Sequence, residues 1–281
     1  MKIKVSELFY SIQGEGEFVG VPSIFLRTFG CNFVCESFGM KRGERSTERM
    51  EVNPLEFKKY EELPLVHTGC DSYASWDVRF KHLSPMMDVE DISKKMYDML
   101  PNNKFAQDSS SVHLIITGGE PLLGWQRSYP ALLDLLTDLQ FVTFETNGTQ
   151  ELSQTLIDYF NNIRPGIHVT FSVSAKLSGA SGEDQAEALQ PDIVAGYQKI
   201  KNSDVYLKFV CATQEDADEA DFYVSAYQKA GLVCPVYLMP AGGTGKLYFL
   251  NAKEVALLAM KKGYRYSPRI QVDIFKNAWG T

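Results

Sequence analysis

The chain of 281 residues has no uninterrupted apolar run approaching the roughly 18 to 20 residues that cross a bilayer. Its start, Met1 to Gln13, lacks the apolar core of a signal peptide, so a membrane span is excluded and a cytoplasmic location is expected. Basic residues are also in deficit. Lys and Arg total 28 against 35 Asp and Glu, a formal charge of −7, which argues against an electrostatic grip on nucleic acid. Five cysteines are an odd number for a disulfide framework. What remains, 44% hydrophobic and 22% charged residues, is the balance of a folded globular chain, and disorder is excluded.

Short β-branched and aromatic segments recur at Ser23 to Thr28, Val112 to Thr117, Phe141 to Glu145, His168 to Val173, Val205 to Cys211, Val236 to Met239 and Ile270 to Phe275. Helical spacing fills most of the connections. Tyr129, Leu132, Leu133, Leu136 and Leu139 share one face, as do Leu152, Leu156 and Phe160, and Asn251 with Glu254 resembles a capping box opening a helix from Ala252 to Lys262. Strands alternating with helices predict an α/β fold of βα units around a parallel sheet, an open or closed barrel with reactive groups at strand carboxyl ends. From Lys41 to Glu62, six basic and six acidic residues are mixed without clear apolar period, and this stretch reads as an insertion forming a solvated loop or short helical excursion.

Cysteine placement separates two groups. Cys211 and Cys234 sit in or beside strand-like runs and read as small core residues. Cys31 and Cys35, in Gly30-Cys-Asn-Phe-Val-Cys35, and Cys70, in Gly69-Cys-Asp-Ser72, lie in loop-like sequence. Three thiolates suit an iron–sulfur cubane that keeps one iron open, or a zinc site completed by His67 or His113. A second constellation, Ile115-Ile-Thr-Gly-Gly-Glu-Pro121, closes an apolar strand: two glycines permit close backbone approach, and Glu120 offers an acceptor for an ammonium group.

Cys-x3-Cys with a third cysteine, followed by Gly-Gly-Glu-Pro at a strand end, resembles the radical S-adenosylmethionine superfamily. Ser11-Ile-Gln-Gly-Glu-Gly16, Phe25-Leu-Arg-Thr-Phe-Gly-Cys31, Cys70-Asp-Ser72, Glu145-Thr-Asn-Gly-Thr149 and Tyr266-Ser-Pro-Arg269 narrow the resemblance to the 7-carboxy-7-deazaguanine synthase family, in the family's order and across nearly the whole chain.

The resemblance implies one domain over residues 1–281, a partial TIM-type βα barrel with an inserted segment at 36–69 between the second and third cysteines. It implies a [4Fe–4S] cluster on Cys31, Cys35 and Cys70 that chelates S-adenosylmethionine. Reductive cleavage of that cofactor gives an adenosyl radical, and 6-carboxy-5,6,7,8-tetrahydropterin loses ammonia by ring contraction to 7-carboxy-7-deazaguanine. By the same likeness Gly118, Gly119, Glu120, Glu145, Thr146, Ser174 and Lys176 meet the cofactor. Ile12, Gln13, Gly14, Glu15, Arg27 and Arg269 meet the pterin, and Ser72 ligates Mg2+, with Asp71 near. A flavodoxin-like electron donor, a homodimer and no nucleic-acid or membrane partner are further expectations of the family.

The chain departs from the pattern in three places. Between Cys35 and Cys70 lie 34 residues where most of the superfamily has two, an excursion whose closure entropy grows only logarithmically if its ends meet. Gly69 stands where an aromatic residue usually packs on adenine, and Gln271 where relatives often carry His. Two readings compete with the synthase: another radical S-adenosylmethionine enzyme, such as a glycyl-radical activator, and a zinc-stabilised binding module without catalysis.

Overall fold

The computed structural model describes all of Met1–Thr281. Nine strands form one sheet: β1 (Lys2–Ile12), β2 (Pro22–Thr28), β3 (Met86–Asp88), β4 (His113–Gly118), β5 (Phe141–Thr146), β6 (His168–Val173), β7 (Ser203–Cys211), β8 (Val236–Pro240) and β9 (Arg265–Tyr266). Their order is β3-β1-β2-β4-β5-β6-β7-β8-β9. From β2 onward the neighbours run parallel, whereas β1 is antiparallel to both β2 and β3. No pairing joins β3 to β9, so the βα barrel is incomplete, as expected.

The two-residue period of a strand gives this sheet two different faces. Leu26, Ile116, Phe144, Phe171, Leu207 and Phe209 point outward into a core shared with the helices Val89–Met99, Tyr129–Leu135, Gln214–Lys229 and Gly245–Lys262. The alternate residues point inward. Phe9, Phe25 and Ile115 pack together there, Phe9 stacked on Phe25 at 4.9 Å, while Arg27, Thr117, Glu145 and Lys208 line the cavity beyond them. One face is thus apolar throughout, and the other grades from an apolar floor to a polar mouth.

The excursion after Cys35 closes on itself. Gly69 N donates to Phe38 O (2.7 Å) and Ser46 N to Glu36 O (2.8 Å), which brings the ends of the inserted segment together. It is more than the solvated loop expected from its charge. Tyr60, Leu63 and Val66 are buried with Tyr73, Phe80 and Leu83 in a satellite core onto which Trp279 packs, and Arg49 ties Glu36 (2.6 Å) to Asp77 (2.7 Å). Within and just after the charged stretch Lys41 to Glu62, Tyr60, Leu63 and Val66 anchor the segment, with Val52 and Phe57 packed beside them.

Other expectations change with the tertiary context. Ile270–Phe275, β-rich in composition, is a helix with Val272 buried and adds no strand beyond β9, the last strand of the sheet. The helix thought to open at Ala252 begins at Gly245 with Thr244 as N-cap, and Asn251 lies inside it, donating to Ala241 O (3.0 Å) rather than capping. β1 carries no clean apolar alternation in sequence and escaped notice as a strand. Cys211 is buried in the main core, and Cys234 packs at its edge, both as expected. No helix is long and apolar enough to cross a membrane.

At the floor of the barrel His113 stacks on Phe141 (4.6 Å) with Phe18 edge-on (4.8 Å), and its Nδ1 has no partner. Burial, with His168 nearby, pushes its pKa down from 6.5 to about 4. Unfolded chain therefore takes this proton first as pH falls, and its share of stability is complete above about 6.5 and lost toward 4. The variant His113→Leu is expected to lose less thermal stability than the parent between those two pH values, read from Tm against pH.

Candidate functional site

A cavity of about 230 Å³ opens at the carboxyl ends of the parallel strands. Cys31, Cys35 and Cys70 all line it, with Phe33, Phe38 and Trp76 around them. Cys31 follows β2, and Cys35 adopts the left-handed backbone (φ 51°) that turns the loop back. The closed base of the insertion delivers Cys70, whose sulfur accepts from Trp76 Nε1 (3.3 Å). Burial pushes the Cys31 thiol up to about 12, with further upward pressure from Glu120 and Cys70. Thiols held neutral in this way become ligands when metal displaces their protons.

Gly119 docks onto the cysteine loop by backbone. A Cβ on Gly119 would press into Gly30 O and lie 2.7 Å from Cys31 Cβ, and Glu120 N donates to Gly30 O (2.7 Å). Gly119 is therefore required for the two loops to touch, while a Cβ on Gly118 would press into Thr28 at the end of β2. Glu120 itself does not reach the cavity. It is fully buried, and its carboxylate accepts from Leu122 N (3.0 Å), Asn147 N (2.7 Å) and Thr146 Oγ1 (2.8 Å). In this arrangement it fixes the turn after β5. Thr146 faces the cavity with its hydroxyl committed to Glu120, and Lys176 Nζ lies near the thiols, donating to Ser174 O (2.8 Å) and Oγ (3.0 Å).

Opposite the thiols lies a network of charges. Glu15, in the turn after β1, accepts from Lys208 Nζ (2.7 Å), Arg269 Nε (3.0 Å) and Gln271 Nε2 (2.7 Å). Burial alone would raise the Glu15 pKa, but Lys208 and Arg269 overcome it and hold the carboxyl well below its usual range. Lys208 and Arg269 are raised in turn by their carboxylate partners, so the network stays ionised. Arg269 also donates to Asp71 (2.6 Å) and to Gly242 O, so each of its three nitrogens is anchored within the chain. Gln13 bridges Glu145 (3.1 Å) and the Glu15 amide (3.1 Å). Arg27 is held through Nε by Glu7 (2.7 Å) and reaches Ser72 Oγ with Nη1 (3.2 Å), leaving Nη2 without a bond in the chain. Ile12 and Gly14 border the same space.

The turn at Gln13–Gly16 reaches this mouth because it is bonded to the far end of the chain: Gly16 N donates to Ser267 Oγ (2.8 Å) and Ile270 N to Gly14 O (3.1 Å). These bonds bridge the open side of the barrel and explain why the first motif and the Ser-Pro-Arg segment go together. One residue of the site went unnoticed in the sequence. Lys208 had a readable signal, a single cation inside an apolar strand, which must find a counter-charge. Gln271, noted as a departure from the family pattern, has its Oε1 buried without a partner beside Gly14.

Three thiols on one cavity, with Cys211 in the core and Cys234 away from it, form a donor set that fits a [4Fe–4S] cluster with one iron free for another ligand. A zinc site finds no fourth ligand. His67 Nδ1 bonds Thr244 Oγ1 (2.6 Å), His113 sits at the opposite end of β4, and no three His, Cys, Asp or Glu side chains converge to hold a single ion.

An incomplete βα barrel that carries three cysteine thiols and a Gly-Gly-Glu-Pro loop at one mouth defines the class of radical S-adenosylmethionine enzymes. No family model matches the chain. It is 30% identical, over 98% of its length and 91% of the relative's, to the 7-carboxy-7-deazaguanine synthase of Halobacterium salinarum. With the synthase of Pyrobaculum aerophilum it shares 26% identity, covering 99% of this chain and 97% of the other, and with that of Rhodopirellula baltica 27%, covering 99% and 88%. The crystal structure of QueE from Escherichia coli has the same fold, with a TM-score of 0.51 at 20% identity over 95% of this chain and 93% of that one. The chain belongs to the 7-carboxy-7-deazaguanine synthase family.

The burial of Glu120 makes a test of its part in the turn. Glu120→Ala leaves three donors without an acceptor and is expected to cost on the order of 3 kcal/mol in urea unfolding; an unchanged midpoint would mean those donors find other partners.

Proposed function

We propose that this chain converts 6-carboxy-5,6,7,8-tetrahydropterin to 7-carboxy-7-deazaguanine with loss of ammonia, using a [4Fe–4S] cluster on Cys31, Cys35 and Cys70, S-adenosylmethionine and Mg2+. One observation carries the reading: a single cavity is bordered by three thiols on one wall and by a fixed network of charged and amide side chains on the other. Held by Cys31, Cys35 and Cys70, the cluster would supply the electron for reductive cleavage of S-adenosylmethionine.

The chain's own residues bind, orient and exclude water. Arg27, clamped by Glu7, presents its free Nη2 to the pterin carboxylate, and a guanidinium fixed beforehand loses little entropy on binding. Lys208 has donors beyond the one that Glu15 takes, and Gln271 Oε1 is an acceptor awaiting an N–H from the aminopyrimidinone edge. Glu15, Gln13 and Glu145 complete that edge. Arg269 acts through Glu15 and Asp71 rather than on the pterin itself.

Gly118 and Gly119, with Thr146, Ser174 and Lys176, border the space next to the thiols, where the methionine and ribose of the cofactor belong. Phe38 and Trp76 supply the aromatic surface that Gly69 lacks. Ser72 Oγ, with Asp71 Oδ1 at 3.3 Å, offers Mg2+ two hard oxygens, with substrate oxygens to complete the shell. The same reading takes a reduced flavodoxin-like protein as electron donor, a homodimeric assembly and a cytoplasmic setting.

Anaerobically reconstituted protein is expected to be brown, with about four irons per chain, and to form 7-carboxy-7-deazaguanine from the pterin. An intact cluster without product would sink this reaction in favour of another radical chemistry. Cys70→Ala is expected to abolish stable cluster assembly, and full iron content in that variant would remove Cys70 from the ligand set. Lys208→Met should lower kcat/KM for the pterin by about 10- to 100-fold while S-adenosylmethionine affinity changes little; equal losses for both ligands would place Lys208 outside the pterin subsite.

A further inference from the structure

The loop bearing the first two cysteines is gripped by a residue that no motif marks. Glu183 lies between the short helices Ser178–Ser181 and Gln185–Ala188, far from Cys35 in sequence. Its Oε1 accepts from both Val34 N (2.8 Å) and Cys35 N (2.5 Å). Those are the two successive amides that lead into the left-handed Cys35, a conformation that a non-glycine residue keeps only when its surroundings hold it there. The grip is itself anchored. Glu183 N donates to Ser181 Oγ (3.2 Å), that hydroxyl donates to Leu177 O (2.7 Å), and Ser37 N donates to Ser181 O (3.1 Å) on the far side of the loop.

The potential of an iron–sulfur centre falls with nearby negative charge and rises with hydrogen bonds donated to its sulfurs. Glu183 acts on both. It takes up two amides that would otherwise be free to point at cluster sulfur, and it sets a carboxylate beside the Cys35 ligand.

We propose that Glu183 is a positioning residue for the cluster, fixing the Val34–Cys35 amides away from its sulfurs and keeping its reduction potential low. A more reducing centre is better able to place an electron in the carbon–sulfur bond of a sulfonium. This inference rests on the reading of Cys31, Cys35 and Cys70 as cluster ligands, and the test separates the two.

Two full-length variants divide the effect: Glu183→Gln keeps an acceptor oxygen for the amides and removes the charge, while Glu183→Ala removes both. In cluster-free protein, hydrogen exchange at Val34 and Cys35 is expected to accelerate roughly tenfold in Glu183→Ala and less in Glu183→Gln. In reconstituted protein, redox titration followed by electron paramagnetic resonance is expected to show a more positive potential in Glu183→Gln than in the parent, and a further rise in Glu183→Ala. Unchanged exchange in Glu183→Ala, or an unchanged potential in Glu183→Gln, overturns the proposal. A parent protein that assembles no iron overturns the cluster reading instead, while the exchange measurement still decides whether Glu183 holds the loop.

Discussion

The carboxylate of Glu15 is where the two ends of an open sheet meet. A closed barrel holds its first and last strands together by backbone hydrogen bonds, and here no such pairing exists between β3 and β9. In its place, Glu15 from the turn after β1 accepts from Lys208 on β7, and from Arg269 and Gln271 after β9. Buried ion pairs are seldom a large net source of stability, because desolvation of the charges offsets their attraction, but they do define geometry. The network does so for the mouth: it fixes Gln13 against Glu145 and Arg269 against Asp71, so that the turn, the barrel wall and the base of the insertion are set relative to one another.

The same economy of parts holds on the thiol side. Gly119 lets one loop lie against another with no side chain between them, Glu120 fastens that loop to the end of β5, and Glu183 fastens the cysteine loop to the segment after β6. The insertion disturbs none of this, because its ends are bonded to each other and its apolar residues have a core of their own. A long excursion between the second and third cysteines is therefore compatible with the approach of Cys70 to the cavity. Two walls, each rigid for a different reason, face one space.

Much of this was legible in the residues. The parallel strands announce themselves by short β-branched runs, and five of their carboxyl ends carry the glycines, the thiol and the polar groups that line the mouth. Ile270–Phe275 misled because β-propensity reports a fit to a half-buried pleated surface, and this segment instead lies beyond the last strand as a helix with Val272 buried. Glu120 carries a structural part the sequence did not show: three donors within the chain converge on its carboxylate. Arg269 stands in the motif expected of it, anchored within the chain to Glu15, Asp71 and a carbonyl.

Sequence alone determined the class of fold, the trio of cysteines and the residue types that face the cavity, because strand period and motif composition are local and survive without coordinates. Only the tertiary structure decided which polar groups remain free to meet a ligand. Whether Arg27, Lys208, Gln271, Glu120 or Glu183 holds a partner within the chain depends on side chains dozens to hundreds of positions away, and a hydrogen-bonding group already satisfied by one of them has no capacity left to advertise in the sequence.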